Sequence, residues 1–466
     1  MQKETKSKSG RERLGSRLGF ILLSAGCAIG MGNVWRFPYI TGQYGGGAFV
    51  LLYLVFLVIM GVPIMTMEFS LGRASQKSPI CLYDSLQKPK QKWHIHGWAS
   101  FAGLVILMMF YTVVAGWMLY YVKAMAFGDF AGMTGEQVSN QFGVMLGNPW
   151  AMLICLAIVV VAGFLVNSFG VQKGLERVTK VMMIALFHLM AVLVVHGLSL
   201  DGAGEGLKFY LIPDFHKMAE AGIFNVVSAA MLQALFTLSL GIGSMAIFGS
   251  YIDKDRALLG ESVNIAVLDT MVALMAGLII FPACFTYNNG QTSSGPGLIF
   301  QVLPQIFNNM PLGRLWGALF FVFMTFAAFS TVFAVFEAIL ACVMEKFGWS
   351  RKKACIICGV GMFLLSLPCL FGYNVLSGFA PLGKDIQSWE DFLVSYVLLP
   401  LGSLTYVIFC TNDKYGWGFD NFMEEANQGK GFKVKRWMRA YMKYVLPVIM
   451  LIVFFFGLNE FFGFIK

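Results

Sequence analysis

Apolar residues in this chain run in long unbroken blocks, at neither the spacing of one-faced helices nor the alternation of half-buried strands. Eleven blocks are long enough to cross hydrocarbon, at roughly 18–40, 49–67, 101–127, 150–167, 178–198, 223–252, 263–285, 315–343, 354–371, 392–410 and 444–462. They predict an all-α membrane protein of eleven transmembrane helices joined by short polar segments. Composition sharpens this: 58% of the 466 residues are hydrophobic and 13% charged, a mixture that cannot build a water-facing surface. Disorder, collagen-like repeats and a small disulfide scaffold are excluded. The nine cysteines are sparse and mostly fall inside the blocks, which reads as apolar filling.

The net charge of +9 suggests nucleic acid until the basic residues are located. Most of the 34 Lys and Arg fall in segments that share one side of the membrane when the N-terminus is cytoplasmic. That asymmetry predicts a multi-pass protein of the cell inner (plasma) membrane, N-terminus inside and C-terminus outside, with no nucleic-acid partner. The polar start MQKETKSKSGRERLGSR, ahead of a block without a cleavage site, does not read as a signal peptide. Cys355 and Cys358 have redox or zinc spacing but lack a second pair, and the five histidines lack a partner nucleophile or second ligand. Packing is the reading for all of them.

Two blocks carry breaks that a lipid-facing helix does not tolerate. The first contains Gly26, Gly30 and Gly32 at mid-depth; the sixth contains Ser239, Gly241 and Gly243. Unwound backbone at that depth needs ions or ligands to satisfy it, although glycine pairs also occur at close helix crossings. Each break opens a five-block unit. An odd number of spans inverts the second unit on the first, which is the plan of secondary transporters with a site at the midplane. The expected organisation is a cytoplasmic segment 1–17, a first repeat 18–198, an extracellular loop 199–222, a second repeat 223–410, a cytoplasmic loop 411–443 and an eleventh helix with an extracellular C-terminus, 444–466. A half-helix starting near Met31 and Gly32 presents free N–H groups and a positive dipole end to a carboxylate. The carbonyls ending the preceding half suit a cation.

The run Gly26-Cys-Ala-Ile-Gly-Met-Gly-Asn-Val-Trp-Arg-Phe-Pro38, the run Gly45-Gly-Gly-Ala-Phe49, Pro63 with Glu68 and Gly72-Arg73, Phe236-Thr-Leu-Ser-Leu-Gly241 and Gly295-Pro-Gly-Leu-Ile-Phe300 resemble the signatures of the neurotransmitter:sodium symporter family. The resemblance runs in order over residues 11–410 and is strongest toward eleven-span bacterial transporters of tyrosine and hydrophobic amino acids. It implies a five-plus-five inverted repeat of the leucine-transporter type with helices 1 and 6 broken, and a transporter, not an enzyme.

Carried over position by position, the resemblance implies two sodium ions. One is held by the Ala28 carbonyl, Asn33, Thr237 and Asp269 with the substrate carboxylate; the other by the carbonyls of Gly26, Ile29 and Ala327 with the hydroxyls of Ser330 and Thr331. All-oxygen shells suit a hard cation. Asp269 stands where many family members carry a neutral amide, and its own charge removes the need for chloride; a carboxylate facing a watery crevice is the plainer alternative. Gly30 stands where amine transporters carry aspartate, which favours a ligand with its own carboxylate. The implied substrate site adds Ala28, Met31, Gly32 and Thr237 to a pocket of Leu107, Tyr111, Phe236, Ser239, Ile242, Thr331 and Val335, apolar enough for neutral hydrophobic or aromatic amino acids.

The same resemblance implies gates. Arg36 faces Asp391 on the outer side above a lid of Tyr111 and Phe236, unless Arg36 snorkels to the headgroups. On the inner side Arg11 pairs with Glu345 above Ser250 and Tyr251, although Leu14 replaces the usual tryptophan. Glu68 matches a position that braces the first break. Glu337 reads equally as a brace or a proton carrier, and the loop 286–312 as a lid or a plain connector. The sequence therefore points to sodium-coupled symport of a neutral amino acid by alternating access; the alternative is a transport-incompetent sensor or channel of the same fold. The amino acid preferred, the ion stoichiometry and the oligomeric state stay open.

Overall fold

The computed structural model describes residues 14–290 and 297–464 and is almost entirely helical. In chain order the helices are α1 (Arg17–Ala28), α2 (Gly32–Gln43), α3 (Gly47–Ser75), α4 (Pro79–Leu86), α5 (His94–Phe127), α6 (Gly135–Leu146), α7 (Pro149–Ser168), α8 (Val171–Leu198), α9 (Ala203–Leu211) and α10 (Phe215–Glu220). There follow α11 (Ile223–Thr237), α12 (Ser244–Gly249), α13 (Leu258–Tyr287), α14 (Leu298–Val302 continuing through Leu303–Asn309), α15 (Gly313–Phe347), α16 (Arg351–Phe371), α17 (Ile386–Thr411), α18 (Phe419–Ala426) and α19 (Met438–Phe462).

Among the described residues nine helices are long and apolar enough to cross a membrane, and the pair α1/α2, bent by 53°, makes a tenth. The shorter apolar α11, separated from α12 by the unwound residues 238–243, occupies the sixth block. This fits eleven spans with the first and sixth broken. Burial sorts the bundle into layers: α15 and α5 are 78% and 72% buried over their apolar stretches, whereas α8 and α19 are 28% and 22% buried. Ile154, Ile158, Val161 and Leu165 on α7, with Val181, Ile184, Val192 and Val195 on α8, stand exposed along the perimeter. That much contiguous apolar surface is stable only against lipid.

Several spans contain a widened π turn, and five of these precede a proline: 32–36 before Pro38, 57–61 before Pro63, 298–302 before Pro304, 392–398 before Pro400 and 441–445 before Pro447. Proline has no N–H to give the preceding turn and its ring crowds the carbonyl four residues back, so the turn widens instead of breaking.

At the basal end, where α1 begins, the Arg73 side chain is fully buried and pairs with Glu425 of α18 at 2.6 Å. Arg73 also donates to the carbonyls of Arg256, at 2.7 Å, and of Glu425. Lys254 reaches the same carboxylate at 3.1 Å. The start of α1 is held by lighter contacts: the Gly15 N–H and Ser16 hydroxyl on Glu176 at 2.7 and 3.1 Å, and Arg17 on Glu261 at 2.8 Å. His96 is packed between Tyr83, whose hydroxyl lies 2.7 Å from Nδ1, and the Tyr406 ring; His196 stacks on Trp316 at 3.8 Å. Of the segment 286–312, residues 291–296 lie outside the described residues. Residues 286 and 287 end α13, and 298–309 form α14, whose Phe300 packs on Trp117, Tyr121 and Phe142 at the end opposite the basal one.

Candidate functional site

The two breaks lie side by side. At the first, α1 stops at Ala28, Ile29 turns extended with ψ of 96°, and Met31 caps α2. At the second, Ser239, Gly241 and Gly243 all take positive φ, of 51°, 94° and 78°. Gly241 is required there twice over, by that φ and because a Cβ would stand 2.3 Å from the Leu399 carbonyl oxygen. Gln233 on α11 donates to the Gly32 carbonyl at 2.8 Å, tying one broken helix to the other. Glu68 braces the second break and not the first, accepting the Gly241 N–H at 2.6 Å. The C-terminal half of α3 packs against α12, which sets Glu68 beside the second break.

Two oxygen clusters flank the first break. In one, Asn33 donates to the Asp269 carboxylate at 2.8 Å and to the Asp269 carbonyl at 3.0 Å; Thr237 donates to the other carboxylate oxygen at 3.0 Å, and Tyr53 lies 3.4 Å from it. Asn33, Thr237 and Asp269 are all buried. In the other, the Thr331 hydroxyl is 3.3 to 3.4 Å from the carbonyls of Gly26, Cys27 and Ile29, and Ser330 is 3.3 Å from Ile29 and 2.9 Å from Ala327. One proton cannot satisfy three carbonyls, and these distances exceed the usual ~2.7–2.8 Å for a hydroxyl donor. The surplus lone pairs belong to an all-oxygen set of the kind a hard monovalent cation uses. Donor chemistry in both clusters therefore fits sodium.

Residues of both breaks line a cavity of about 20 Å³, formed by Cys27, Ala28, Gly30, Met31, Gly32, Leu107, Tyr111, Phe236, Ser239, Ile242, Thr331, Val394 and Leu399. The Met31 N–H donates to the Tyr111 hydroxyl at 3.1 Å. A Cβ at Gly30 would stand 2.4 Å from that hydroxyl and 2.6 Å from Thr331 Oγ1, so the position has no room for a side chain in this arrangement. Val335 is buried one turn beyond Thr331 and does not line the cavity; Thr237 turns instead to Asp269. Cys27, Val394 and Leu399 were missed by sequence reasoning. The signal for the latter two was Pro400, which widens the preceding turn of α17 toward the breaks.

A second cavity, of about 300 Å³, opens toward the vestibule end and contains Arg36, Tyr39, Trp117, Asp385 and Asp391. Met31, Tyr111 and Phe236 line both cavities and so form the partition between them. The expected Arg36–Asp391 pair is not closed. Arg36 lies over the Phe236 ring at 4.6 Å and Asp391 takes the Ser395 hydroxyl at 2.5 Å, while both line the second cavity.

At the basal end Arg11 lies outside the described residues. Glu345 pairs with Lys77 at 3.0 Å and accepts the Ser78 N–H at 2.7 Å. The Tyr251 hydroxyl goes to Glu337 at 2.9 Å, and Ser250 folds back on its own helix, onto the Ile247 carbonyl. Glu337 in turn holds Arg351 at 2.7 Å, which makes it a brace between α15 and α16.

The sequence profile described as the sodium:neurotransmitter symporter family matches residues 11–130 and 128–463. The chain is 36% identical over 440 residues to the uncharacterized sodium-dependent transporter YhdH of Bacillus subtilis, covering 94% of this chain and 96% of that one. It is 30% identical over 464 residues to an uncharacterized sodium-dependent transporter of Haemophilus influenzae, covering 97% and 99%. The crystal structure of MhsT in complex with L-phenylalanine superposes with a TM-score of 0.85 at 37% identity, covering 96% of this chain and all of that one. Broken first and sixth helices, oxygen-lined clusters beside them and a match along nearly the whole length converge: the chain belongs to the sodium:neurotransmitter symporter family, a family of multi-pass, sodium-dependent membrane transporters.

Proposed function

We propose that this symporter moves neutral hydrophobic or aromatic α-amino acids into the cell with two sodium ions, without chloride, by alternating access. The observation that carries the reading is the double break itself: the first break is flanked by two oxygen clusters, the α1 carbonyls with the α15 hydroxyls and the Asn33–Asp269 pair, and one small, mainly apolar cavity is lined by residues of both breaks. In this reading Asn33, Thr237, Asp269 and the Ala28 carbonyl hold the first ion beside the substrate carboxylate. Gly26, Ile29, Ala327, Ser330 and Thr331 hold the second. Coupling follows from the shared ligand, since an ion that needs the substrate's oxygen raises its affinity, and the reverse.

Substrate class rests on what the cavity lacks. Gly30 leaves no place for an acidic side chain to receive an amine, so the ligand must bring its own carboxylate to the free end of α2. Leu107, Phe236, Ile242, Val394 and Leu399 give the walls an apolar character, and the structural relative was crystallised with L-phenylalanine. Asp269 supplies the fixed negative charge that would otherwise call for an anion. The vestibule cavity faces outward, with Arg36 and Asp391 as its gate charges, and the basal end faces the cytoplasm.

A binding screen of the twenty amino acids on purified protein tests the reading. Capture of hydrophobic and aromatic amino acids in sodium, lost in potassium, is the expected result; equal capture in potassium overturns it. Counterflow of labelled substrate in proteoliposomes then distinguishes a carrier from a sensor that only binds.

A further inference from the structure

At the basal end Arg17, Arg73, Lys77 and Lys180 each have an acid partner, in Glu261, Glu425, Glu345 and Glu176. The segment that leads into the eleventh span differs. Residues 430–443 hold six cations and no acid. Arg439 and Lys443, on the first turns of α19, share Asp413 at 2.6 and 3.6 Å, and Asp420 stands 3.9 Å from Arg439. Among the described residues Lys433, Lys435 and Arg436 make no ion pair, and all three are exposed. The stretch is nonetheless fixed in shape. Val434 is buried, and the Asn427 side chain accepts its N–H at 2.7 Å and donates to its carbonyl at 2.9 Å. The Lys430 backbone bonds to those of Asp255 and Ala257, at 3.0 and 2.9 Å. α19 begins two residues after Arg436 and, at 22%, is the least buried of the nine long apolar helices, so its flank lies against lipid. Trp437 and Tyr444 stand exposed at its start, residue types that settle at headgroup depth. At 1.5 Å per residue, Met438 and Lys443 are only about 7.5 Å apart along the helix, so these cations and aromatics share one interfacial layer.

We infer that residues 433–443 form a docking surface for the headgroup of an anionic phospholipid, with Lys433, Lys435 and Arg436 on the phosphate oxygens and Trp437 and Tyr444 against the upper acyl chains. Asp413 and Asp420 already neutralise Arg439 and Lys443 in part, so the three unpaired cations carry the attraction. Three exposed charges of one sign within four residues repel one another, and a negative headgroup relieves that repulsion while its chains lie along α19. A zwitterionic lipid brings its own cation and forfeits much of the gain. The inference is independent of the solute carried.

Native mass spectrometry of delipidated full-length protein, titrated with phosphatidylglycerol or phosphatidylcholine, provides the test. The first phosphatidylglycerol should bind at least about fivefold more tightly than phosphatidylcholine, at about fivefold per cation engaged. Lys435→Gln with Arg436→Gln should weaken phosphatidylglycerol binding about five- to twenty-fivefold and leave phosphatidylcholine unchanged. Lys352→Gln with Lys353→Gln, exposed cations at the start of α16, should change neither. Lys433→Gln, expected to cost about fivefold, keeps the test decisive if the double variant does not fold. Equal binding of the two lipids overturns the proposal, as does unchanged phosphatidylglycerol binding in the Lys435 and Arg436 variant or an equal loss in the Lys352 and Lys353 variant. Displacement of the lipid by millimolar inorganic phosphate also overturns it and assigns these cations to a free anion.

Discussion

The carboxylate of Glu68 meets the backbone N–H of Gly241 at 2.6 Å, in the middle of the second break. A helix interrupted at mid-membrane leaves N–H groups that neither lipid nor water can satisfy, and here one buried acid on a neighbouring span takes one of them. Replacing Glu68 with alanine should therefore destabilise the protein by about 1–3 kcal/mol, the cost of a buried donor left unmade. Glu68→Gln keeps an acceptor and should lose less. Thermal unfolding in detergent measures both, and equal losses would show that the hydrogen bond is not what matters.

Asn33 and Asp269 form one unit at 2.8 Å. Asn33→Ala or Asp269→Ala should weaken sodium and L-phenylalanine binding together, each by at least about tenfold, or ~1.4 kcal/mol. Lys88, exposed and bonded to the Asp413 carbonyl at 2.6 Å, serves as a control, and Lys88→Ala should alter neither. Calorimetric titration of each ligand with and without the other reads the coupling. Loss of one affinity alone would separate the ion from the substrate.

Replacement of chloride by gluconate at constant sodium should leave L-phenylalanine uptake unchanged in proteoliposomes. The proposed reading gives this role to the buried Asp269, whose carboxylate would supply the negative charge beside the first cluster. A collapse of uptake would remove that role from Asp269.

Acid should loosen the loop that follows α17. Partial burial pushes the Asp413 carboxyl up, but the Phe419 N–H at 3.2 Å, Arg439 at 2.6 Å and Lys443 at 3.6 Å outweigh it and hold the group below the usual carboxylate range. A carboxyl depressed in the folded state stabilises it fully above its unfolded pKa of about 4, and that contribution is lost as pH falls through the lower folded value. Hydrogen exchange of residues 412–419, corrected for intrinsic rate, should accelerate near pH 3 relative to pH 7. Asp413→Asn should already be fast at pH 7.

Spans and breaks were legible because they are written in single residues: apolar runs set the helices, and Gly30, Gly32, Gly241 and Gly243 set the interruptions. The oxygen clusters were expected from the family resemblance; Asn33, Thr237 and Asp269 are hydrogen-bonded together, and Ser330 and Thr331 lie against the carbonyls of Gly26, Ile29 and Ala327. What the sequence did not disclose were distances across the bundle. Arg36 and Asp391 are complementary charges on paper, but they line one cavity with Arg36 over Phe236 and Asp391 on Ser395. Glu337 pairs with Arg351, fourteen residues on, a partner that the linear pattern did not show. Val335 shares a helix face with Thr331, yet it is buried one turn along, outside the cavity lining. Such outcomes depend on where neighbouring spans sit, which no local pattern records.

The unequal anchoring at the basal end has a mechanical consequence. Among the described residues, Arg73 is sealed from solvent and fastens three segments at once, whereas the ion pair at the start of α1 is made by Arg17, 46% exposed, beside the bonds of Gly15 and Ser16 to Glu176. Solvent competes for an exposed pair and not for a sealed one. If the substrate leaves on this side, the first half of the first span is the panel that swings, and the rest is the frame it swings from.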